Sequence, residues 1–204
     1  KASYKGAKLL NGFQQLETLG QGGFATVRRC KFVPTGKVYA IKKMNKSWLR
    51  KKREWSRVGG AMKMSSMLDK VLVSINVLKQ MKHPNVMFLH SLMDDPKNDG
   101  LYLVIDYCAK KQVMDWDADE KRYKSTIFKH GPLGGIGLES VAHVANGLLQ
   151  GLKYLQTQRV CHRDIKPDNL LVTESWVVKI GDFGVATQFS EQKGKEGILT
   201  DTQG

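Results

Sequence analysis

The sequence predicts an α+β fold in which strands come first along the chain and helices later. Residues 13–42 place apolar side chains between glycines and the turn Pro34–Gly36, a pattern typical of strands joined by hairpins. Residues 67–81 and 138–156 repeat apolar side chains at steps of three and four, a pattern typical of amphipathic helices. This order of elements indicates two unequal layers or lobes.

Between these elements the pattern is less regular. Residues 43–66 have no clean period and hold a basic block, so we expect a flexible insertion there. The helix that follows should end near Pro84, because the residue before a proline avoids the helical region. Residues 86–92 and 101–107 are predicted as two strands joined by a polar turn. Residues 109–137 are polar and then rich in glycine, and their structure is weakly determined.

The bulk composition is that of a soluble globular protein. The 204 residues are 41% apolar and 25% charged. We find neither an apolar run long enough to span a membrane nor a signal-peptide pattern, so we expect a cytoplasmic location, with the nucleus as the alternative. The three cysteines, Cys30, Cys108 and Cys161, have no metal-binding spacing, which favours reduced thiols over a disulfide framework or a zinc site.

The net charge of +14 is concentrated in the first third of the chain. Residues 1–63 carry 16 Lys or Arg and 2 Asp or Glu, whereas the remaining residues carry 17 of each kind. The densest block runs from Lys46 to Arg57. It is either a docking patch, for an acidic partner, a membrane surface or nucleic acid, or a solvated insert. No aromatic-interleaved RNA- or DNA-binding motif accompanies the block, so nucleic acid is not an expected partner.

The first motif with chemical potential is rich in glycine. Gly20, Gly22 and Gly23 would let the backbone approach a phosphate, which freed N–H groups could bind, although a plain hairpin turn is an equal alternative. A dinucleotide site would need a helix directly after the loop, and the continuation Val27–Lys31 favours a strand instead. Lys42 ends an apolar strand and is either a surface lysine or a phosphate ligand. Its spacing behind the hairpin favours the second interpretation.

Two further motifs lie close together near the end of the chain. The run His162–Asn169 packs an acid, a base and a carboxamide into one loop. Asp164 could accept a proton from a hydroxyl group, and the side-chain oxygen of Asn169 is a hard ligand suited to Mg²⁺. The run Asp182–Gly184 follows an apolar strand and offers a second carboxylate to a metal ion.

These motifs occur in the order of the protein-kinase signature. Because of these motifs, the chain resembles the eukaryotic-type Ser/Thr protein kinases from about residue 13 to its end. The basic insert after Lys42, the turn Met93–Pro96 and the run Asp182–Ala186 are most similar to the calcium/calmodulin-dependent protein kinase kinase group.

The resemblance implies a bilobal protein-kinase fold. Residues 13–108 would form a β-rich N-lobe with one main helix, the hinge strand and the insert at 43–66. Residues 109–204 would form part of a mostly helical C-lobe that ends in the activation segment. We therefore expect residues 1–204 by themselves to be poorly folded and inactive.

The resemblance also implies ATP and Mg²⁺ as cofactors and a protein Ser or Thr hydroxyl as phosphate acceptor. Asp164 would deprotonate that hydroxyl, and Lys166 would neutralise the transferring group. Asn169 and Asp182 would hold Mg²⁺, and Lys42 would bind the phosphates.

The implied nucleotide pocket combines apolar side chains with backbone groups. Ile105 would gate the back of the pocket, and Asp106 and Cys108 would offer backbone groups to adenine. The full set is Leu19, Gly20, Gly22, Val27, Ala40, Lys42, Ile105, Asp106, Cys108, Leu171 and Asp182.

Regulation and partners are implied only in outline. Arg163 precedes Asp164, a pairing that usually requires a phosphorylated activation loop, and Thr202 is the expected phosphosite, with Thr200 as the alternative. The protein substrate could be another kinase. Calmodulin binding is not predictable from this chain.

The sequence departs from the kinase pattern at two positions. Ala25 replaces a glycine of the kinase pattern, and we expect this change to have a modest effect on the mobility of the loop. Ser74 occupies the place of the helix glutamate that pairs with the strand lysine in active kinases, and a hydroxyl cannot hold Lys42 by charge. A nucleotide-binding pseudokinase or scaffold is therefore an alternative function, and a binding module built on the basic block is a third.

Overall fold

The computed structural model describes residues 9–58, 61–125, 127–128 and 136–189. Its elements in chain order are the strands β1 Leu9–Leu10, β2 Phe13–Gln21, β3 Ala25–Phe32 and β4 Val38–Asn45, the helix α1 Lys46–Lys51, the strands β5 Arg53–Val58 and β6 Ala61–Ser66, the helix α2 Met67–Gln80, the strands β7 Leu89–Asp94, β8 Gly100–Ile105, β9 Lys111–Gln112, β10 Asp115–Asp117 and β11 Arg122–Lys124, the helix α3 Leu138–Thr157, the strand β12 Val160–Cys161, a 3-10 turn Pro167–Asn169, and the strands β13 Leu170–Val172, β14 Val178–Ile180 and β15 Thr187–Gln188.

The described residues divide into two compact units. The first contains the described residues as far as Lys52 together with Leu89–Tyr107, and the second contains Arg53–Phe88 and the described residues from Cys108 onward. The division predicted at residue 108 assigned the main helix to the first part of the chain, whereas α2 belongs to the second unit. The domain boundaries at 13, 108 and 204 themselves stay predictions.

The first unit is an antiparallel sheet with the strand order β1-β2-β3-β4-β8-β7. One face carries a small apolar cluster of Cys30, Ile41 and Val104, against which the rings of Phe13 and Tyr39 pack. The strands predicted in residues 13–42 and 101–107 are confirmed. The strand predicted at 86–92 begins only at Leu89, because the preceding residues pair with a different part of the chain.

That pairing explains why the segment before β7 belongs to the second unit. Val86 forms a parallel bridge with Ile180, and the N–H of Met87 donates to the Ile180 carbonyl at 2.9 Å. Asn85 adds a side-chain hydrogen bond to the Val178 carbonyl at 2.8 Å. Sequence periodicity carries no signal for such a connection between distant segments.

The helix α2 follows the predicted boundaries closely. Ser66 and Asp69 form a capping box at its start, in which each side chain accepts a hydrogen bond from the backbone N–H of the other. The helix ends at Gln80, and Met81 adopts an extended conformation shortly before Pro84. The predicted helix from residue 67 to residue 81 is thereby confirmed.

The insertion predicted at residues 43–66 has more regular structure than its lack of periodicity indicated. It contains the end of β4, the helix α1 and the antiparallel hairpin of β5 and β6. A helix of six residues shows too few turns for a period, and a hairpin with few core contacts needs no alternation of apolar side chains. These residues therefore form regular elements, whereas the flexibility expected of the insertion stays a prediction.

In the second unit the helix α3 packs closely on β14. Both Gly147 and Gly151 face this contact, where an added Cβ atom would lie 2.9 Å from Val178 and 2.7 Å from Ile180, respectively. The strands β14, β13 and β9 form an antiparallel sheet, and β12 pairs with β15. In the described part of the chain, no helix is both long and apolar enough to cross a membrane.

Candidate functional site

The glycine-rich segment forms a hairpin between β2 and β3, as predicted. Gly20 pairs with Val27, and the N–H of Gly22 donates to the Ala25 carbonyl at 2.9 Å. A Cβ atom at Gly20 or Gly23 would have no neighbour within 4 Å. The backbone of the hairpin is thus bare, which fits the close approach of a phosphate group.

Strand register places several predicted nucleotide ligands on one face of the sheet. Val27 lies opposite Lys42, and Lys42 lies opposite Leu103 in the next strand. Ala40 lies opposite Ile105 and, being two residues from Lys42, shares its face. Directly paired residues share a face, so Val27, Ala40, Lys42 and Ile105 form one surface.

Leu19 and Gly20 lie at an irregularity of the same sheet. The register between β2 and β3 shifts between Thr18 and Gly20, which leaves Leu19 inside the irregular stretch. Bulges of this kind redirect side chains near binding sites.

The opposite face of this sheet has different chemistry. It carries a surface pocket of about 260 Å³. The lining residues are Gln15, Thr18, Gln21, Thr26, Arg28, Cys30, Ile41, Lys43 and Tyr102. None of the predicted nucleotide ligands lines it.

The loop at residues 162–169 belongs to the second unit and is organised around a buried histidine. The backbone N–H of Asp164 donates to Nδ1 of His162 at 3.3 Å, so Nε2 is the protonated nitrogen and donates to the Gly181 carbonyl at 2.7 Å. The ring also packs edge-on against Phe183, with centroids 4.8 Å apart. Burial lowers the pKa of His162 below its ordinary value, which keeps the ring neutral.

The Asp164 carboxylate is held by two predicted site residues. The amide nitrogen of Asn169 donates to both the backbone carbonyl and Oδ2 of Asp164, each at 2.8 Å. The ammonium group of Lys166 lies 2.9 Å from the same Oδ2, and this hydrogen bond raises the pKa of Lys166. The carboxylate is partly exposed and fixed in direction, as a proton acceptor for an incoming hydroxyl must be.

Asn169 and Asp182 lie at the same end of the β13–β14 ribbon. Leu170 pairs with Ile180, and one residue further the N–H of Gly181 donates to the Asn169 carbonyl at 2.7 Å. Asp182 itself has a left-handed backbone conformation, with φ of 45°. Left-handed non-glycine residues are uncommon and cluster at functional sites.

These two side chains fit a magnesium ion that is shared with phosphates. Because the amide nitrogen of Asn169 is bound to Asp164, its amide oxygen is the atom available to a cation. Among the described residues, His, Cys, Asp and Glu side chains form no cluster of three or more that could hold a metal. Mg²⁺ needs no such cluster, because it commonly takes one or two protein oxygens and completes its shell with phosphate and water.

The remaining predicted residues lie near the junction of the two units along the chain. Ile105 ends β8, Asp106 follows it in the first unit, and Cys108 begins the continuation of the second unit. The carboxylate of Asp106 contacts His90 at 2.7 Å. Leu171 lies in β13 opposite Lys179, and its side chain would contact a Cβ atom added at Gly181. All three cysteines are free thiols, as predicted.

Ser74 is buried in α2 and bonded within its own helix. Its hydroxyl donates to the Val71 carbonyl at 2.8 Å. The expected phosphosite Thr202 and its alternative Thr200 lie outside the described residues. The roles predicted for the individual site residues stay predictions.

Sequence reasoning missed Tyr123. Its hydroxyl donates to Oδ2 of Asp168, in the 162–169 loop, at 2.9 Å, and this bond raises the pKa of Tyr123. Tyr123 lies on β11, which pairs with β10 in a hairpin where Trp116 packs edge-on against it. These short strands lie in residues 109–137, where no periodic pattern could have indicated them.

Comparisons with known proteins agree with the geometry. A sequence profile of the family described as "Protein kinase domain" matches residues 13–203. The serine/threonine-protein kinase TOS3 of Saccharomyces cerevisiae is 34% identical over 179 residues, which cover 88% of this chain and 30% of the yeast protein. The serine/threonine-protein kinase GRIK2 of Arabidopsis thaliana is 34% identical over 186 residues, which cover 91% of this chain and 41% of the plant protein.

A further relative concerns the subfamily. A calcium/calmodulin-dependent protein kinase kinase of Caenorhabditis elegans is 29% identical to this chain and covers 96% of it, and the match spans 35% of the nematode protein. The chain thus spans well under half the length of these three relatives. The subfamily stays a prediction.

Proposed function

Because this chain belongs to the protein kinase domain family, we propose that it transfers the γ-phosphate of ATP to Ser or Thr hydroxyls of protein substrates. The arrangement around Asp164 is the observation that carries the proposal. Its carboxylate is held by Asn169 and Lys166, and Asn169 shares one end of a β-ribbon with Asp182. The relatives named above are described as serine/threonine-protein kinases, which favours this function over a pseudokinase or scaffold.

Each residue of this arrangement has a role in the proposed transfer. Asp164 accepts the proton of the substrate hydroxyl. The hydroxyl oxygen then forms a bond to the γ-phosphorus of ATP, and the bond between that phosphorus and the oxygen of the ADP leaving group breaks. Lys166 neutralises charge on the phosphoryl group in transit. Asn169 and Asp182 would hold Mg²⁺, which when bound neutralises negative charge on the phosphates.

The sheet of the first unit would supply the nucleotide contacts. Lys42 would bind phosphate oxygens beside the bare backbone of Gly20 and Gly22. Apolar contacts to adenine would come from Leu19, Val27 and Ala40, with Ile105 at the back of the pocket. Backbone groups of Asp106 would bind the adenine edge. Support comes from strand register, which aligns Val27 with Lys42 and Ala40 with Ile105.

A transfer assay tests the function directly. The full protein is incubated with Mg²⁺, γ-labelled ATP and a protein or peptide acceptor, beside the variant Asp164→Asn. We expect the variant to lose at least a hundredfold in kcat and to keep its nucleotide affinity, because only the proton acceptor is removed. Equal labelling by both proteins would rule out the proposed transfer.

An acidic partner for the basic insert is a second, separate proposal. Arg50, Lys51 and Arg53 are exposed in or next to α1, whereas Lys46 is buried and bonded to Asp94 at 2.7 Å. Only the exposed cations can meet a partner. The interaction would be supported if binding of the acidic partner weakened as the salt concentration rose. Binding should also be lost when Arg50, Lys51 and Arg53 are neutralised together. A cytoplasmic location stays a prediction.

A further inference from the structure

The tip of the glycine-rich hairpin contacts the helix α1. The loop between β2 and β3 consists of Gly22, Gly23 and Phe24, so the Phe24 ring is the one side chain in this loop. The Phe24 ring is stacked on the Trp48 ring, with centroids 6.3 Å apart and planes inclined by 21°. Both rings belong to the first unit. Phe24 is otherwise exposed, with 41% of its surface accessible.

Trp48 is held on a well-anchored helix. Asn45 caps the start of the helix, and its side chain accepts the Trp48 N–H at 2.7 Å. The buried ammonium of Lys46 bonds to Asp94 and to the Asp95 carbonyl, each at 2.7 Å.

Further contacts hold the same helix to the β7–β8 connection. Ser47 donates to the Asp99 carboxylate at 2.6 Å, and Leu49 is fully buried. The ammonium group of Lys52 lies over the Trp48 ring, 5.0 Å from its centroid. The helix is therefore fixed to the end of β7 and to the β7–β8 connection, which holds Trp48 in place beside the hairpin tip.

Holding a hairpin tip with two glycines in one conformation is costly, so an external contact helps to restrain it. Glycine loses more backbone freedom than any other residue when it is ordered. Around Gly23 no other atom lies within 4 Å of where a Cβ atom would stand. Together with the hydrogen bond from the Gly22 N–H to the Ala25 carbonyl, the Phe24–Trp48 stack thus restrains this tip before a ligand arrives.

We propose that Trp48 is a positioning residue for the nucleotide, because its stacking on Phe24 preorganises the glycine-rich hairpin. This inference rests on the proposed function of the same site. A hairpin that is ordered in the free protein pays less conformational entropy on binding. The α1 helix, which the kinase motifs do not include, thereby contributes to nucleotide affinity without touching the nucleotide.

The test measures nucleotide binding apart from catalysis. Dissociation constants for Mg-ADP are measured by calorimetry on the full protein and on Trp48→Ala, Phe24→Ala and the double variant. An aromatic pair is worth about 0.5–1.5 kcal/mol, so we expect each single variant to bind about threefold to tenfold more weakly. The double variant should bind no more weakly than either single variant, because both remove the same contact.

Further variants distinguish a positioning role of Trp48 from a general loss of folded structure. Trp48→Phe should restore the affinity to within about twofold, since it keeps an aromatic ring. Trp55→Ala, which removes an exposed tryptophan of the neighbouring hairpin, should have wild-type affinity. In transfer assays, Trp48→Ala should raise KM for ATP and leave kcat within about twofold.

The outcomes distinguish this inference from the proposed function. Wild-type affinity in Trp48→Ala, tighter binding, or additive losses in the double variant would each overturn it, even with phosphoryl transfer intact. A protein that binds Mg-ADP with the expected coupling and transfers no phosphate would leave the inference standing and refute the function. If Trp48→Ala unfolds, Phe24→Ala and Trp48→Phe still decide it, because Phe24 is exposed and the phenyl ring keeps the helix packed.

Discussion

The amide nitrogen of Asn169 donates two hydrogen bonds to Asp164, one to its backbone carbonyl and one to its carboxylate, each at 2.8 Å. One side chain thus fixes the expected proton acceptor and would offer its own oxygen to Mg²⁺. The two proposed roles of Asn169 are therefore coupled, because a change at this residue disturbs both the base and the metal ligand.

We expect Asn169→Ala to lower kcat for phosphoryl transfer by at least a hundredfold. The variant removes the two hydrogen bonds from Asn169 to Asp164 and the proposed metal ligand, and only Lys166 still holds the carboxylate, so raising the Mg²⁺ concentration should recover only part of the loss. The measurement is kcat at saturating ATP over a series of Mg²⁺ concentrations. Ser175→Ala, at the far end of the same β-ribbon, should behave as wild type. Full recovery at high Mg²⁺ would mean that the bonds to Asp164 have no catalytic role.

A second prediction concerns the contact between α3 and β14. Alanine favours helices over glycine by about 1 kcal/mol, yet we expect Gly151→Ala to destabilise the protein by about 1–3 kcal/mol. Its Cβ atom would lie 2.7 Å from Ile180 and 2.9 Å from the Asn85 carbonyl, and a backbone atom cannot move aside cheaply.

The free energy of unfolding of the full protein in denaturant measures this effect. Asn146→Ala, on the exposed side of the same helix, is the matched control and should be neutral or slightly stabilising. Equal stabilisation by both substitutions would mean that the helix can move away from β14 without cost.

The local pattern predicted those parts of the fold that depend on neighbours in sequence. Helix α2 could be predicted because apolar side chains recur in it at steps of three and four and a proline follows its end. Hairpins around Pro34 and the glycine-rich loop could be predicted because turn residues have strong local preferences.

Other parts depend on contacts between distant segments and leave no local signal. The bridge from Val86 to Ile180 and the contact from Tyr123 to Asp168 each join residues that are far apart in the chain. The stack of Phe24 on Trp48 is of the same kind, because it depends on a helix of six residues that has no detectable period. Motif spacing identified Asp164, Asn169 and Asp182 as candidates, but the hydrogen bonds from Asn169 to Asp164 are a property of the folded loop.

A third prediction follows from the neutral, buried His162. Its pKa in the folded protein is lowered by burial, so the unfolded chain binds more protons than the folded chain once the pH falls toward the ordinary value near 6.5. Stability must therefore be lost as the pH falls through about 6.5 toward the lowered pKa of the folded protein, by at most about 1.4 kcal/mol per pH unit for one proton.

Melting temperatures of the full protein between pH 7.5 and 5.5 measure this slope. We expect His162→Gln to be less stable at pH 7.5 and to have a shallower dependence on pH. Some slope should remain, because burial also lowers the pKa of His83. An unchanged slope in His162→Gln would show that another group accounts for the acid sensitivity.

The last prediction concerns Ser74, which the motif spacing aligns with the helix glutamate of active kinases. Ser74 is 7% exposed and its hydroxyl is bonded to the Val71 carbonyl of its own helix. We expect Ser74→Ala to change the free energy of unfolding by less than about 0.5 kcal/mol and to keep phosphoryl transfer, since such a bond within a helix adds little. Ser74→Glu should cost about 1–3 kcal/mol, because a larger, charged side chain enters a packed site.

Val73→Glu is the matched control, since Val73 lies on the exposed face of the same helix with 53% of its surface accessible. It should leave both stability and transfer near the wild-type values. If Ser74→Glu instead raised kcat tenfold or more without a loss of stability, the site would have room for the carboxylate and the natural protein would be a handicapped enzyme. That result would favour the pseudokinase alternative. The opposite result is that Ser74→Ala transfers phosphate as well as the wild type and Ser74→Glu brings no gain. It would mean that Lys42 is positioned without a glutamate at residue 74.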